Sequence, residues 1–172
     1  MTTAKSSGLH PYGQLRARQL RLLAGPVVLA LLAVILLPTS GYSQGRPFKL
    51  EGLQGGDLGP SDFAQGVVIA VVWASWSPHC RNIVPQVDAM VEKWGSQAKV
   101  IMVNFQEDPA EAQAFLSGKR AKAPVYLDKS GAFSKAHSVT NLPGLVIFKD
   151  GAAAFSGKLS RNPDSIISQT LG

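Results

Sequence analysis

Val67-Val-Ile-Ala-Val-Val-Trp73 is an unbroken run of seven apolar residues, most of them β-branched, and it leads directly into Ala74-Ser-Trp-Ser-Pro-His-Cys80. A strand that is apolar at every position has both faces covered, so it belongs inside a sheet with helices on either side. Ser77-Pro78 then carries a helix-start signature, a serine at the N-cap followed by proline at the first helical position. Cys80 falls three residues after Ser77, so the segment has the spacing of a Cys-x-x-Cys redox motif with serine in the first cysteine's place.

The rest of the chain alternates in the same manner. Ile83, Val84, Val87, Met90, Val91 and Trp94 recur at helical spacing and predict a helix that packs one apolar stripe on the sheet and ends near Gly95. Residues 100–105 read as a second buried strand. A further helix is predicted over 109–116, with Asp108 at its N-cap, Pro109 at its first position and Glu111 in its first turn. Residues 124–127 form a short strand followed by a turn at Asp128-Lys-Ser-Gly131. The runs 145–148 and 152–155 flank Lys149-Asp-Gly151, a hairpin signal, and Asn162-Pro-Asp164 opens a terminal helix. Alternating strands and helices imply an α/β fold with a central mixed sheet.

Charge separates the front of the chain from this body. Of the 17 Lys+Arg, six lie in the first fifty residues (Lys5, Arg16, Arg18, Arg21, Arg46 and Lys49) beside no acid, while the remaining 11 balance all 11 Asp+Glu. The basic character is thus a property of the leader, and the body carries no nucleic-acid footprint. After Arg21, residues 22–37 hold no charge and are rich in Leu, Val and Ala, the pattern of an export signal or a membrane anchor. The apolar run is slightly shorter than the ~20 residues that span a bilayer core, and Thr39-Ser-Gly41 offers small residues for cleavage. The long basic prefix favours a retained anchor. In either case the arginines stay in the cytoplasm and the body lies outside, on the periplasmic side of the inner membrane. The expected organisation is a basic tail plus signal or anchor over 1–41, a Gly/Ser/Gln linker over 42–46, and one domain over 47–172.

Several positions follow a known order. Phe48, Leu50, Leu58, Ser61-Asp-Phe63 and Gly66 precede Trp73-Ala-Ser-Trp76; Pro85 follows Cys80 by five residues; Asn141-Leu-Pro-Gly144 comes later. In these features the chain resembles the TlpA/ResA family of extracytoplasmic thioredoxins. The resemblance implies a thioredoxin-like fold and an active site at the turn after the first buried strand. It implies a cis-proline at Pro143 facing that turn, with Leu142 offering its backbone to an extended substrate strand. It also places Trp76 beside the site and Pro78 within it, and it implies a cysteine-containing protein segment as substrate or redox partner. No cofactor is implied.

The chemistry of that site departs from the family at its first step. A redox thioredoxin fold exposes its first cysteine at the helix start, where the dipole and free N–H groups stabilise a thiolate. Here that exposed position holds Ser77, which forms no disulfide, and no positioned base supports it as a nucleophile. Cys80 is the only thiol, so the mature chain has no intramolecular disulfide. It is expected to be partly shielded, either as a small apolar core residue or as a single redox thiol. His79 gives a Pro-His dipeptide like that of strongly oxidising relatives, yet it reads best as a solvent-facing residue of the first turn. His79 and Cys80 lack the further ligands that a metal site needs. Val71 stands where thioredoxins proper hold a buried carboxylate that relays protons.

Three functions fit. The first is a TlpA-like protein that binds or acts on cysteine-bearing segments with monothiol or much reduced thiol-disulfide exchange. The second resembles a peroxiredoxin, in which Cys80 attacks peroxide and Ser77 orients it. Against it, Trp73 occupies that pattern's proline position and Arg81 follows the cysteine where a proline is usual. The third is a docking module in which Cys80 is inert.

Overall fold

The structure is a computed structural model, and it describes residues 48–172. The signal or anchor expected over 1–41 and the linker over 42–46 lie outside the described residues. Among the described residues no helix is long and apolar enough to cross a membrane.

The elements run β1 (Leu50–Gly52), β2 (Asp57–Leu58), β3 (Val67–Trp73), α1 (Ile83–Trp94), β4 (Lys99–Phe105), α2 (Pro109–Leu116), β5 (Val125–Asp128), α3 (Ala132–Ala136), β6 (Gly144–Lys149), β7 (Ala152–Lys158) and α4 (Asp164–Leu171), with short 3-10 turns at Pro60–Phe63 and Pro78–Cys80. The strands form one seven-stranded sheet in the order β2-β1-β5-β4-β3-β6-β7. β3, β4 and β5 are parallel neighbours, whereas β6 joins β3 antiparallel and β1 joins β5 antiparallel. This is a thioredoxin-like α/β fold with a mixed sheet and flanking helices.

The reason β3 is apolar throughout is visible in where its side chains go. Ile69, Val71 and Trp73 enter one core with α1, while Val68, Ala70 and Val72 enter a second core on the opposite face. The period of two is therefore present but masked, because both faces are buried. On the first face α1 buries Ile83, Val84, Val87, Met90 and Trp94. Each of the four non-aromatic side chains among these contributes about 1.5–3 kcal/mol when removed from water. The second core is aromatic: Phe48 lies 5.0 Å from Phe133 edge-on, and Phe63 lies 4.6 Å from Phe148.

The terminators follow local rules. α1 ends at Gly95, and at α2 the Asp108 N–H donates to the Glu111 carboxylate at 3.0 Å, closing the first turn. Asp150 and Gly151 have φ of 49° and 86°, so the β6–β7 connection is the two-residue turn that matches strand twist. Asp150 also ties this hairpin to the start of β3, since its N–H donates to the Gly66 carbonyl at 2.9 Å and its carboxylate accepts from the Gly66 N–H at 3.0 Å.

Three elements go beyond the sequence-based reading. β1 and β2 are three and two residues long, too short to display a period, and α3 occupies what reads as the exit of a turn. α3 exists because Asp128, fully buried, accepts from the Phe133 and Ser134 N–H groups at 3.1 and 2.9 Å and satisfies the free donors of its first turn.

Candidate functional site

β3 ends at Trp73, and the chain leaves the sheet through Ala74 and Ser75 into an exposed lip. Trp76 is 63% exposed, the one large hydrophobic side chain so exposed among the described residues, and Pro78 and His79 beside it also face solvent. Trp73, by contrast, is wholly buried and packs on Phe115 at 4.9 Å. The two tryptophans of one motif thus divide between core and surface.

The expectation of Ser77 as an exposed cap on a continuous helix is corrected by the geometry. Ser77 occupies the N-cap position of the three-residue turn Pro78–Cys80 and makes no side-chain capping bond. The α-helix proper starts only at Ile83. The cause is Pro85: it has no N–H to give the Arg81 carbonyl, so the helical ladder cannot run back through residue 81. The chain instead makes a tight turn, with the Cys80 N–H donating to the Ser77 carbonyl at 3.0 Å and the Ser77 N–H reaching the Ala74 carbonyl at 3.3 Å. This tucks Ser77 inward, leaving it 4% exposed, and Cys80 below it is 0% exposed rather than partly shielded. Cys80 is unpaired and packs in the core with Val71 and Ile83.

The opposing loop comes from before β6. The Leu142–Pro143 peptide bond is cis. Leu142 is half-buried and lies outside the β6 ladder, while the Pro143 carbonyl accepts from the Leu159 N–H at 2.9 Å. Pairing of Val72 with Gly144 brings this loop to the end of β3 from which the lip departs. Gly144 is required there, because a Cβ would meet Val139 Cγ1 at 2.7 Å and the Asn141 carbonyl at 3.0 Å.

One residue of the site region was not anticipated. Glu107, in the connection from β4 to α2, is 6% exposed. Its carboxylate accepts from the Ser75 N–H at 2.7 Å, from Asn104 Nδ2 at 2.5 Å and from the Ser75 hydroxyl. Nothing in the sequence separates Glu107 from its exposed acidic neighbours Asp108 and Glu111, because its partner Ser75 lies 32 residues away. A buried carboxylate is therefore present, reached from β4 rather than from the Val71 position of β3.

A second titratable group is built into the opposite face. His137 sits against Phe133 and Phe148, both at 4.8 Å, and Phe48 at 5.6 Å, and its Nε2 is buried without a partner. Burial lowers its pKa from the usual histidine value, against a smaller opposing pull from Asp128. It belongs to the aromatic core and not to the lip. Among the described residues no group of three or more His, Cys, Asp or Glu could hold a metal ion.

Comparisons with known proteins bear on the family and the fold. Thioredoxin 1 of Synechococcus elongatus is 29% identical over 84 residues, covering 49% of this chain and 58% of that protein. The thiol-disulfide oxidoreductase ResA of Bacillus thuringiensis subsp. konkukian is 26% identical over 106 residues, covering 60% of this chain and 61% of the relative. The chain thus spans about three fifths of the length of these curated relatives. Among solved structures, a Chlorobium tepidum protein provisionally named thiol:disulfide interchange protein DsbE superposes with a TM-score of 0.64 at 25% identity, covering 74% of this chain and 95% of that one. The TlpA/ResA-like resemblance read from the sequence is borne out by these relatives. The profile of the AhpC/TSA family matches residues 43–153, and the chain belongs to that family.

Proposed function

We propose that this protein is an extracytoplasmic thioredoxin-fold binder of extended, cysteine-bearing protein segments, with thiol-disulfide exchange reduced to what one buried thiol supplies. The observation that carries the reading is the pairing of an exposed Trp76 with a wholly buried Cys80, opposite a Leu142–Pro143 loop that lies outside the sheet ladder. Trp76 and Pro78 supply an apolar contact, and Leu142 supplies backbone groups for a strand laid across the loop. Ser77 offers a hydroxyl where an attacking thiolate would be needed, so the binding half of the family's task is retained and the nucleophile is not. His79 lies in the same lip and adds a polar edge to the contact.

Any exchange at Cys80 is monothiol. Its thiolate attacks a substrate disulfide, one mixed disulfide forms and one substrate thiolate leaves; a second thiol from solution must then release the mixed disulfide, because the chain has no other cysteine. The leader supports the location: its arginines precede the apolar run of 22–37, which holds the tail in the cytoplasm and the domain outside, anchored in the membrane or freed by cleavage.

The test is binding without chemistry. A synthetic extended peptide with an S-methylated cysteine should bind the wild-type domain and lose affinity in Trp76→Ala, while insulin reduction stays close to a Cys80→Ser control. Binding unaffected by Trp76→Ala removes the reading. A C-terminal alkaline phosphatase fusion should be active, and a fusion active only as a cytoplasmic reporter overturns the location.

A second reading draws support from Ser77 and Cys80 sharing one tight turn, with the hydroxyl-bearing residue and the thiol three positions apart. In it, Cys80 is a peroxidatic thiol and Ser77 orients the peroxide. Rapid peroxide consumption that is lost in Cys80→Ser would select it over the first.

A further inference from the structure

Glu107 is a buried carboxylate, and it appears in none of the ion pairs among the described residues. Three donors hold it instead: two from Ser75, through its N–H and hydroxyl, and one from Asn104 on β4. Burying a carboxyl without a cation is costly unless its lone pairs are used, so this cluster is either fully made or strongly destabilising. Its placement is specific. Ser75 is the residue immediately before Trp76, at the point where the chain has left β3 and no ladder bond holds it. The lip from there to Cys80 is otherwise fixed by two turn bonds, one of them 3.3 Å long.

We infer that Glu107 is the positioning residue of the lip: through Ser75 it fixes the backbone from which Trp76 projects, and so sets the orientation of Trp76 toward a bound segment. The inference rests on the binding role proposed above for Trp76, but the anchoring itself is independent of it. Both Ser75 N–H and Asn104 Nδ2 donate to the same oxygen, Oε2, and the hydroxyl of Ser75 meets Oε1. A glutamine fits this pattern. Its amide oxygen accepts the two N–H donors and its NH2 donates to the serine hydroxyl, which reverses its own role from donor to acceptor. Anchoring therefore predicts that glutamine substitutes and alanine does not, whereas a role for the negative charge predicts that both fail.

The experiment compares wild type with Glu107→Gln, Glu107→Ala and Ser75→Ala by backbone 15N relaxation over residues 75–79 and by the affinity for the S-methylated peptide. Expected is a lip as ordered in Glu107→Gln as in wild type. Glu107→Ala should be mobile on the ps–ns scale over 75–77 and bind about tenfold more weakly, a loss of about 1.4 kcal/mol in binding free energy. Ser75→Ala keeps the N–H bond and falls between; it decides the matter if Glu107→Ala does not fold. Unchanged relaxation in Glu107→Ala, or in Ser75→Ala if that is the folded variant, overturns the inference, as does a Glu107→Gln lip as mobile as the alanine one. If wild type binds no peptide at all, the binding reading fails while the relaxation data still decide whether Glu107 anchors the lip.

Discussion

Replacing Ser77 with cysteine should create a disulfide to Cys80 and raise the stability of the domain. Residues 77 and 80 are the ends of one tight turn, closed by the Cys80 N–H to the Ser77 carbonyl at 3.0 Å. The ends of such a turn lie within about 7 Å of each other, and disulfides span Cα separations of about 4.4–6.8 Å. Serine and cysteine differ by one atom, and because the Ser77 hydroxyl makes no capping bond, the reduced variant forfeits none of the ~1 kcal/mol usually attached to a serine cap. Closing a four-residue ring removes about 2 kcal/mol of chain entropy from the unfolded state. That corresponds to a rise in Tm of roughly 4–8 °C on oxidation. The assay is a thermal melt with and without reductant, together with mass spectrometry of the oxidised protein. A variant that folds with Cys80 buried but never pairs 77 with 80 would refute the turn geometry. One that pairs but melts lower would show strain in the bridge.

Cys80, wholly buried, should react with a thiol reagent at least ~100-fold more slowly in the folded protein than in denaturant, measured by timed labelling, and equal rates would place the thiol at the surface. His137 has its folded pKa lowered by burial, so its contribution to stability is complete above the unfolded value of about 6.5 and is lost as pH falls from there through the lower folded value. Urea midpoints for wild type should therefore drop between neutral and acid pH by more than those of His137→Phe, and parallel curves would refute this. Gly144→Ala should destabilise by roughly 1–3 kcal/mol, since its Cβ would meet Val139 and the Asn141 carbonyl, and an unchanged denaturation midpoint would contradict that contact.

The legible parts of this protein were those decided by neighbours in sequence. The all-apolar β3, the helical stripe of α1, the Asp150-Gly151 turn and the Asp108-Pro109 helix start each declare themselves within a few residues. Ser77-Pro78 shows the limit of such reasoning. It carries a correct local signature for starting a helix, but Pro85, seven residues beyond Pro78, breaks the ladder that would have continued it. Residues whose role depends on a distant partner were silent. Glu107 and Asp128 sit in acidic or turn-like surroundings that read as solvated surface, and only the arrival of Ser75 in one case and of α3 in the other buries them.

β3 has a different neighbour on each side, at different distances along the chain. β4 follows it through α1 alone, whereas β6 reaches its other edge from about seventy residues downstream, where Val72 meets Gly144. Until β6 docks, the second edge of the most apolar strand is open to any other extended chain. The lip is carried by β3 and the Leu142–Pro143 loop by β6, so a chain interrupted before residue 144 leaves that edge of β3 unpaired and does not hold the loop against the lip. The placing of the Leu142–Pro143 loop beside the lip and the protection of β3 against aggregation are therefore completed by one and the same strand pairing.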